Sequence, residues 1–186
     1  MKLLVIDACV RGDESGTRRF YTRYLESLKD EDIEVSLLDL AKADLKPYTK
    51  EEIYFRDSLS PEEKEKHEIC AFAREFRDAD EILVAAPYWD FSFPSCLKVY
   101  LEKVSTVGVT FLATEKGYEG LCKARKARYF TTAGGIVTAH LGYEYVRTLF
   151  KMFGIEETEL YTIEGLDLDK NKREQYLTEG INSYFG

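Results

Sequence analysis

Apolar runs of strand length alternate with helix-spaced segments along the whole chain, and this constrains the fold more than any other feature. Lys2–Ala8 is a continuous apolar run ending in an acid and small residues, as in a strand buried on both faces. After a polar turn over Cys9–Gly16, Ser15 or Thr17 is placed to cap a helix through Phe20, Tyr21, Tyr24, Leu25 and Leu28. Ile33–Leu38 reads as a second strand. Asp39–Ser60 reads as a charged loop with scattered aromatics (Tyr48, Tyr54, Phe55), too long for an idle connection. Ser60-Pro61-Glu62-Glu63 then opens a helix to about Asp78: Ser caps, Pro fits the first turn and the acids favour its positive end. A strand over Glu81–Ala86, a helix over Pro94–Val104 and a strand over Lys126–Thr132 follow. The chain closes with a helix over about Leu141–Phe153, a strand near Glu157–Ile163 and a helix over about Asp169–Tyr184.

Such alternation means parallel strands joined by right-handed helical crossovers, with helices on both faces. Five strands in 186 residues predict an α/β, flavodoxin-like three-layer sandwich with a five-stranded parallel sheet in the order 2-1-3-4-5. The length suits a single domain, residues 1–186, with a full core around that sheet.

Charge and composition narrow the function classes. Lys and Arg number 26 against 34 Asp and Glu, a net charge of −8, which argues against partners that need basic patches: no nucleic acid and no anionic membrane. The longest apolar runs, such as Ile82–Pro87, fall far short of a membrane span. Met1–Ile6 looks like the start of a signal peptide but breaks at Asp7 after four apolar residues, where a signal core needs about 7–15. A buried strand and a cytoplasmic location are expected. Cys9, Cys70, Cys96 and Cys122 form no C-x-x-C pair and accompany only two His, so no metal site and no disulfide framework is expected.

In open parallel sheets ligands bind outside the carboxyl ends of the strands, so the segments after Ala8, Ala86 and Thr132 are the places for a site. The first carries Arg11, Ser15, Gly16 and Thr17: hydroxyls, a cation and the amides of a helix start, which together suit a phosphate. An ordinary capped turn explains the same residues. The segment lacks both G-x-x-x-x-G-K-[ST] and G-x-G-x-x-G. The second, Pro87-Tyr88-Trp89-Asp90-Phe91-Ser92-Phe93-Pro94, is aromatic and stiff and suits a planar ring better than simple packing. The third, Thr132-Ala133-Gly134-Gly135, lets the backbone approach a ligand, although glycine turns after strands are common.

Together these segments resemble those of the FMN-dependent NADH:quinone oxidoreductases and azoreductases, a flavodoxin-like group of bacterial enzymes. The resemblance rests on Ala85-Ala86-Pro87-Tyr88-Trp89-Asp90-Phe91, on Leu97, Lys98, Tyr100, Leu101 and Val104, and on Gly108-Val109-Thr110-Phe111. Glu115, Gly117, Glu119, Gly120 and Leu121, then Lys126-Ala127, Thr132-Ala133-Gly134-Gly135 and Phe153-Gly154-Ile155 extend it over nearly the whole chain. It implies that Ser15, Gly16 and Thr17 bind the FMN phosphate, with Cys9 upstream. It places Tyr88, Trp89, Asp90 and Phe91 beside the isoalloxazine and ribityl, and Thr132 to Gly135 at the ring's pyrimidine side. The chain departs from the family pattern at Cys9, where Ser is usual and Arg11 would compensate, at Asp90, where Asn is usual, and at Ala133, where a longer polar residue is common.

The resemblance further implies that NADH or NADPH passes hydride through FMN to quinones or azo compounds by a ping-pong mechanism, in a homodimer whose sites are completed by the partner chain. The flavin then carries the chemistry, with no dedicated protein acid or base. Phe111 and Tyr118, in the Gly108–Leu121 insertion, and Tyr54 and Phe55 are candidate walls of the substrate pocket; packing or a subunit interface explains them equally well. His140 is a candidate proton donor to a quinol, although a surface or capping role is the commoner one. A flavodoxin-type electron carrier is the competing reading. A receiver-like signalling module is a less favoured third reading, because Asp7 is a lone acid after the first strand and neither Ala86-Pro87 nor the segment beyond Ile163 supplies the phospho-acceptor Asp or the Lys it needs.

Overall fold

The computed structural model describes residues 1–29 and 32–186. In chain order its elements are β1 (Lys2–Asp7), α1 (Gly16–Ser27), β2 (Glu34–Asp39), α2 (Lys50–Ser58), α3 (Pro61–Lys64), α4 (Ala71–Asp78) and β3 (Glu81–Ala85). Then come α5 (Ser95–Val104), β4 (Phe111–Thr114), β5 (Gly117–Gly120), β6 (Lys126–Thr132), α6 (Leu141–Met152), β7 (Glu157–Ile163) and α7 (Arg173–Phe185). Five strands form one parallel sheet in the order β2-β1-β3-β6-β7. This is the predicted 2-1-3-4-5 order, with two further strands inserted in the numbering by the β4–β5 hairpin.

Period-two alternation within the apolar strands divides the core. Leu4, Ile6, Ile82 and Val84 pack beneath α4, α5 and α6, where Phe76, Leu97, Tyr100 and Phe150 are buried. Leu3, Val5, Leu83 and Ala85 pack beneath α1 and α7, against Phe20, Tyr24 and Leu177. Central strands must satisfy both faces at once, so they read as unbroken apolar runs. No described helix is long and apolar enough to cross a membrane.

Two expectations are corrected. The 39–60 connection is not a plain loop, because α2 occupies it behind a capping box. The Thr49 hydroxyl accepts from the Glu52 amide at 3.2 Å, and the Glu52 carboxylate accepts from the Thr49 amide at 2.7 Å. The helix expected from Ser60 to Asp78 is broken after Lys64, since Arg74 donates to the carbonyls of Lys64 and His67 at 2.6 and 2.7 Å and satisfies an end that would otherwise continue. His67 therefore sits at the break, its ring centroid 4.9 Å from that of Phe55. The Gly108–Leu121 insertion is an antiparallel hairpin, Phe111 opposite Gly120.

Candidate functional site

The order of the sheet reverses direction at β1, which pairs with β2 on one side and β3 on the other. The crevice beyond their carboxyl ends is where open α/β sheets bind ligands. After β1 the chain turns through Gly12, whose positive φ of 59° suits glycine, and Ser15 then caps α1 by accepting from the Arg18 amide at 3.4 Å. The amides of Gly16 and Thr17 are first-turn donors that helix geometry leaves without an intrahelical acceptor.

A charged cluster beneath this turn fixes it in place. Asp7, fully buried, accepts from the Cys9 amide and the Tyr21 phenol, each at 2.7 Å. One Arg18 nitrogen lies 2.7 Å from Asp7 and 2.9 Å from Asp39, clasping the ends of β1 and β2. Burial raises the Asp39 pKa, but the Arg18 hydrogen bond and charge prevail and hold it below its ordinary value. Burial, then the hydrogen bond to Asp7, pushes the Tyr21 phenol up.

After β3, Trp89 and Ser92 exchange backbone hydrogen bonds of 3.2 and 2.7 Å around a tight turn. Both central residues, Asp90 and Phe91, have positive φ, 50° and 63°. A two-residue turn with both positions left-handed favours Asn-Gly, so a phenylalanine there is strained. The turn holds Phe91 out in solvent, 55% exposed, while the Tyr88 hydroxyl donates to the Ala139 carbonyl at 3.0 Å. After β6, the Gly134 and Gly135 amides take no acceptor among the described residues. The Thr132 hydroxyl is 2.8 Å from that of Thr17.

These loops enclose a cleft of about 140 Å³, lined by Arg11, Ser15, Gly16, Pro87, Tyr88, Trp89, Thr132, Ala133 and Gly134 among the expected residues. Gly135 adjoins it with open space beside its Cα. Asp90 and Phe91 instead line a shallower groove of about 420 Å³ on the other side of their turn, with Phe93, Lys98, Leu141 and Tyr145.

Several expected positions lie elsewhere. Cys9 is buried beneath the turn, with its thiol 3.9 Å from the Ala85 carbonyl and no place on the cleft wall. The Thr17 side chain is likewise fully buried and committed to Thr132. Phe111 packs on Phe153 and Tyr118, and the hairpin rests against Gly154, at the amino-terminal end of the sheet and away from the cleft. Phe55 faces a separate hollow with Leu59 and His67, and Tyr54 is solvent-exposed beneath Lys50. Within one chain these four walls are therefore not brought to the site. His140 starts α6 without capping it; its Nε2 lies 3.2 Å from Glu164 and its ring edge faces Tyr88. Among the described residues no group of three or more His, Cys, Asp or Glu is placed to hold a metal ion.

The cleft also contains Glu14, Leu166, Asp167 and Arg173, which sequence reasoning missed. The carboxyl-end rule, applied to the segment after Ile163, points to the last three.

A family profile described as a flavodoxin-like fold matches residues 1–184. The FMN-dependent NADH:quinone oxidoreductase of Clostridium perfringens is 32% identical over 186 residues, covering 97% of this chain and 94% of that protein. The chain belongs to this flavodoxin-like oxidoreductase family. Another relative, the FMN-dependent NADH:quinone oxidoreductase 2 of Clostridium acetobutylicum, is 34% identical over 141 residues, covering 73% of this chain and 70% of its own. The crystal structure of an azoreductase from Bacillus anthracis superposes with a TM-score of 0.82 at 25% identity, covering 98% of this chain and 96% of that one. In this member of the oxidoreductase family, the cleft thus presents backbone amides, the Ser15 hydroxyl and two guanidinium groups as donors. Aromatic Tyr88 and Trp89 and the carboxyl side chains of Glu14 and Asp167 line it as well.

Proposed function

We propose that residues 1–186 form one FMN-binding domain that transfers hydride from NADH or NADPH to quinones or azo compounds, each half-reaction completed before the next begins. The observation that carries this reading is the donor-rich cleft beside an aromatic turn at the point where the sheet order reverses. The residues present fit FMN. A phosphate needs amide, hydroxyl and guanidinium donors, which Gly16, Thr17, Ser15 and Arg11 offer. The acceptor-rich pyrimidine edge of a flavin needs donors on a backbone it can approach, which the unengaged amides of Gly134 and Gly135 offer.

When bound, the flavin supplies the hydride-accepting and hydride-donating chemistry. The protein supplies position and field. Tyr88 and Trp89 would border the ring, and the amides of Gly134 and Gly135 would stabilise negative charge developing at its pyrimidine edge. Phe91, held outward by its strained turn, and Phe93, Leu141 and Tyr145 make an apolar groove suited to flat acceptors. Asp90 is exposed and lines that outer groove rather than the cleft, which supports a place for its carboxylate away from the bound flavin. Phe111, Tyr118, Tyr54 and Phe55 serve acceptor binding only through a second copy of the chain, in a homodimer. The protein works in the cytoplasm.

The purified protein is expected to be yellow and to release FMN, not FAD, on denaturation. Rapid bleaching by NADH in stopped flow, followed by reoxidation with a quinone, is expected of the enzyme. Colourless protein that takes up no added FMN would refute the cofactor, and slow reduction without a protein partner would favour an electron carrier. Parallel double-reciprocal plots would support alternating half-reactions.

A further inference from the structure

The connection from β7 to α7 closes one side of the cleft by running along the glycine loop. Gly165 donates to the Gly135 carbonyl at 3.0 Å, Leu166 to Ala133 at 3.1 Å and Asp167 to Gly134 at 2.7 Å. This ladder places the Asp167 carboxylate where a Cβ on residue 134 would stand, so only glycine at 134 leaves it room. Asp169 then caps a short turn by accepting from the Asn171 amide at 3.0 Å, and Arg173 emerges at the start of α7. Its guanidinium pairs with Asp167 and lines the same cleft as Arg11, Ser15 and Gly16.

Four charged side chains therefore surround the cleft: Arg11 and Arg173 against Glu14 and Asp167. Arg11 makes no ion pair among the described residues, whereas Arg173 has a counter-ion of its own. A guanidinium carries five donors in a plane, and a single oxygen of Asp167 engages one nitrogen, leaving the rest of the fork for an anion. A phosphate monoester carries about −1.5 to −2 at neutral pH and binds such a fork more strongly than a single carboxylate does.

We infer that Arg173 is a further phosphate-binding residue of this site and that Asp167 is its competing counter-ion, so that binding the FMN phosphate trades one anion for the other. The inference rests on the flavin reading above. It makes the selectivity for a phosphorylated flavin depend on an ion pair outside the three loops that build the rest of the site.

The test compares FMN with riboflavin, which lacks the phosphate, by quenching of flavin fluorescence on the full chain freed of cofactor. The wild-type ratio of the riboflavin dissociation constant to the FMN dissociation constant measures what the phosphate contributes. Arg173→Gln is expected to lower that ratio about tenfold or more, the scale of a charged hydrogen bond. Asp167→Asn is expected to raise it severalfold. Neither should move riboflavin affinity, and Arg173→Lys should keep part of the effect. An unchanged ratio in Arg173→Gln, or equal weakening of both flavins, overturns the assignment of Arg173. A fall in the ratio for Asp167→Asn overturns the competition. Wild-type protein that binds neither flavin overturns the flavin reading itself, a different result from all of these.

Discussion

Thr17 and Thr132 share a hydrogen bond of 2.8 Å between their hydroxyls, and it ties α1 to the end of β6 across the intervening β3. Thr17 is wholly buried, whereas Thr132 borders the cleft. Thr132→Val therefore strands a buried hydroxyl and should cost about 1–3 kcal/mol, while Thr17→Val leaves a hydroxyl that water can reach and should cost less. The double variant should be less destabilised than the sum of the two, which urea unfolding of all four proteins measures.

Phe91 holds a left-handed backbone conformation with its ring in solvent. Phe91→Gly removes about 1–2 kcal/mol of that strain and adds about 0.5–1 kcal/mol of chain entropy, for a net gain near 0.5 kcal/mol. If the ring serves the acceptor, KM for a quinone should rise while stability does too. Thermal melts and steady-state kinetics on one preparation separate the two effects.

Asp39 links pH to stability through Arg18. Its folded pKa lies below its unfolded value of about 3.9, so it stabilises the fold above that pH. The contribution disappears as pH falls through the folded value. Asp39→Asn should lose stability at neutral pH yet show a flatter stability profile below about pH 4 than the wild type. Chemical unfolding between neutral pH and pH 3 checks this, and parallel profiles would contradict it.

Gly120 abuts the backbone of Phe153 and Gly154, where a Cβ has no room. Gly120→Ala should destabilise by about 1–3 kcal/mol, since backbone must move. Gly135→Ala, with open space beside it, should stay within about 0.5 kcal/mol of wild type. Differential scanning calorimetry of both variants makes the comparison.

Much of this architecture was legible in order along the chain. Runs such as Lys2–Ala8 and Glu81–Ala86 read as central strands because burial on both faces leaves no polar position to confuse the pattern. The helix α2 was hidden among charges and exposed aromatics, since none of its residues is buried, and only the Thr49–Glu52 capping box marked it. The break after Lys64 could not be read from Ser60-Pro61-Glu62-Glu63, which signals a start and says nothing of the end; that end depends on Arg74, a residue in the next helix.

The candidate site divides in the same way. Arg11, Ser15, Gly16, Pro87, Tyr88, Trp89, Thr132, Ala133 and Gly134 share one cleft because each follows a strand whose carboxyl end the fold class already places at one edge. Cys9 and Thr17 lie in the right loop, but side-chain direction turns them inward, and direction is a property of the packed turn.

The sequence by itself determined the sheet, its order and the edge at which open sheets of this class bind ligands, because periodicity and turn chemistry are local. Tertiary structure alone decided which groups converge, since the Asp167 amide bonds the Gly134 carbonyl more than thirty positions earlier and Arg173 reaches the cleft by pairing with the Asp167 carboxylate. Contacts at that separation depend on how layers stack: the carboxyl-end rule points to the segment after Ile163 but not to which of its side chains turns into the cleft.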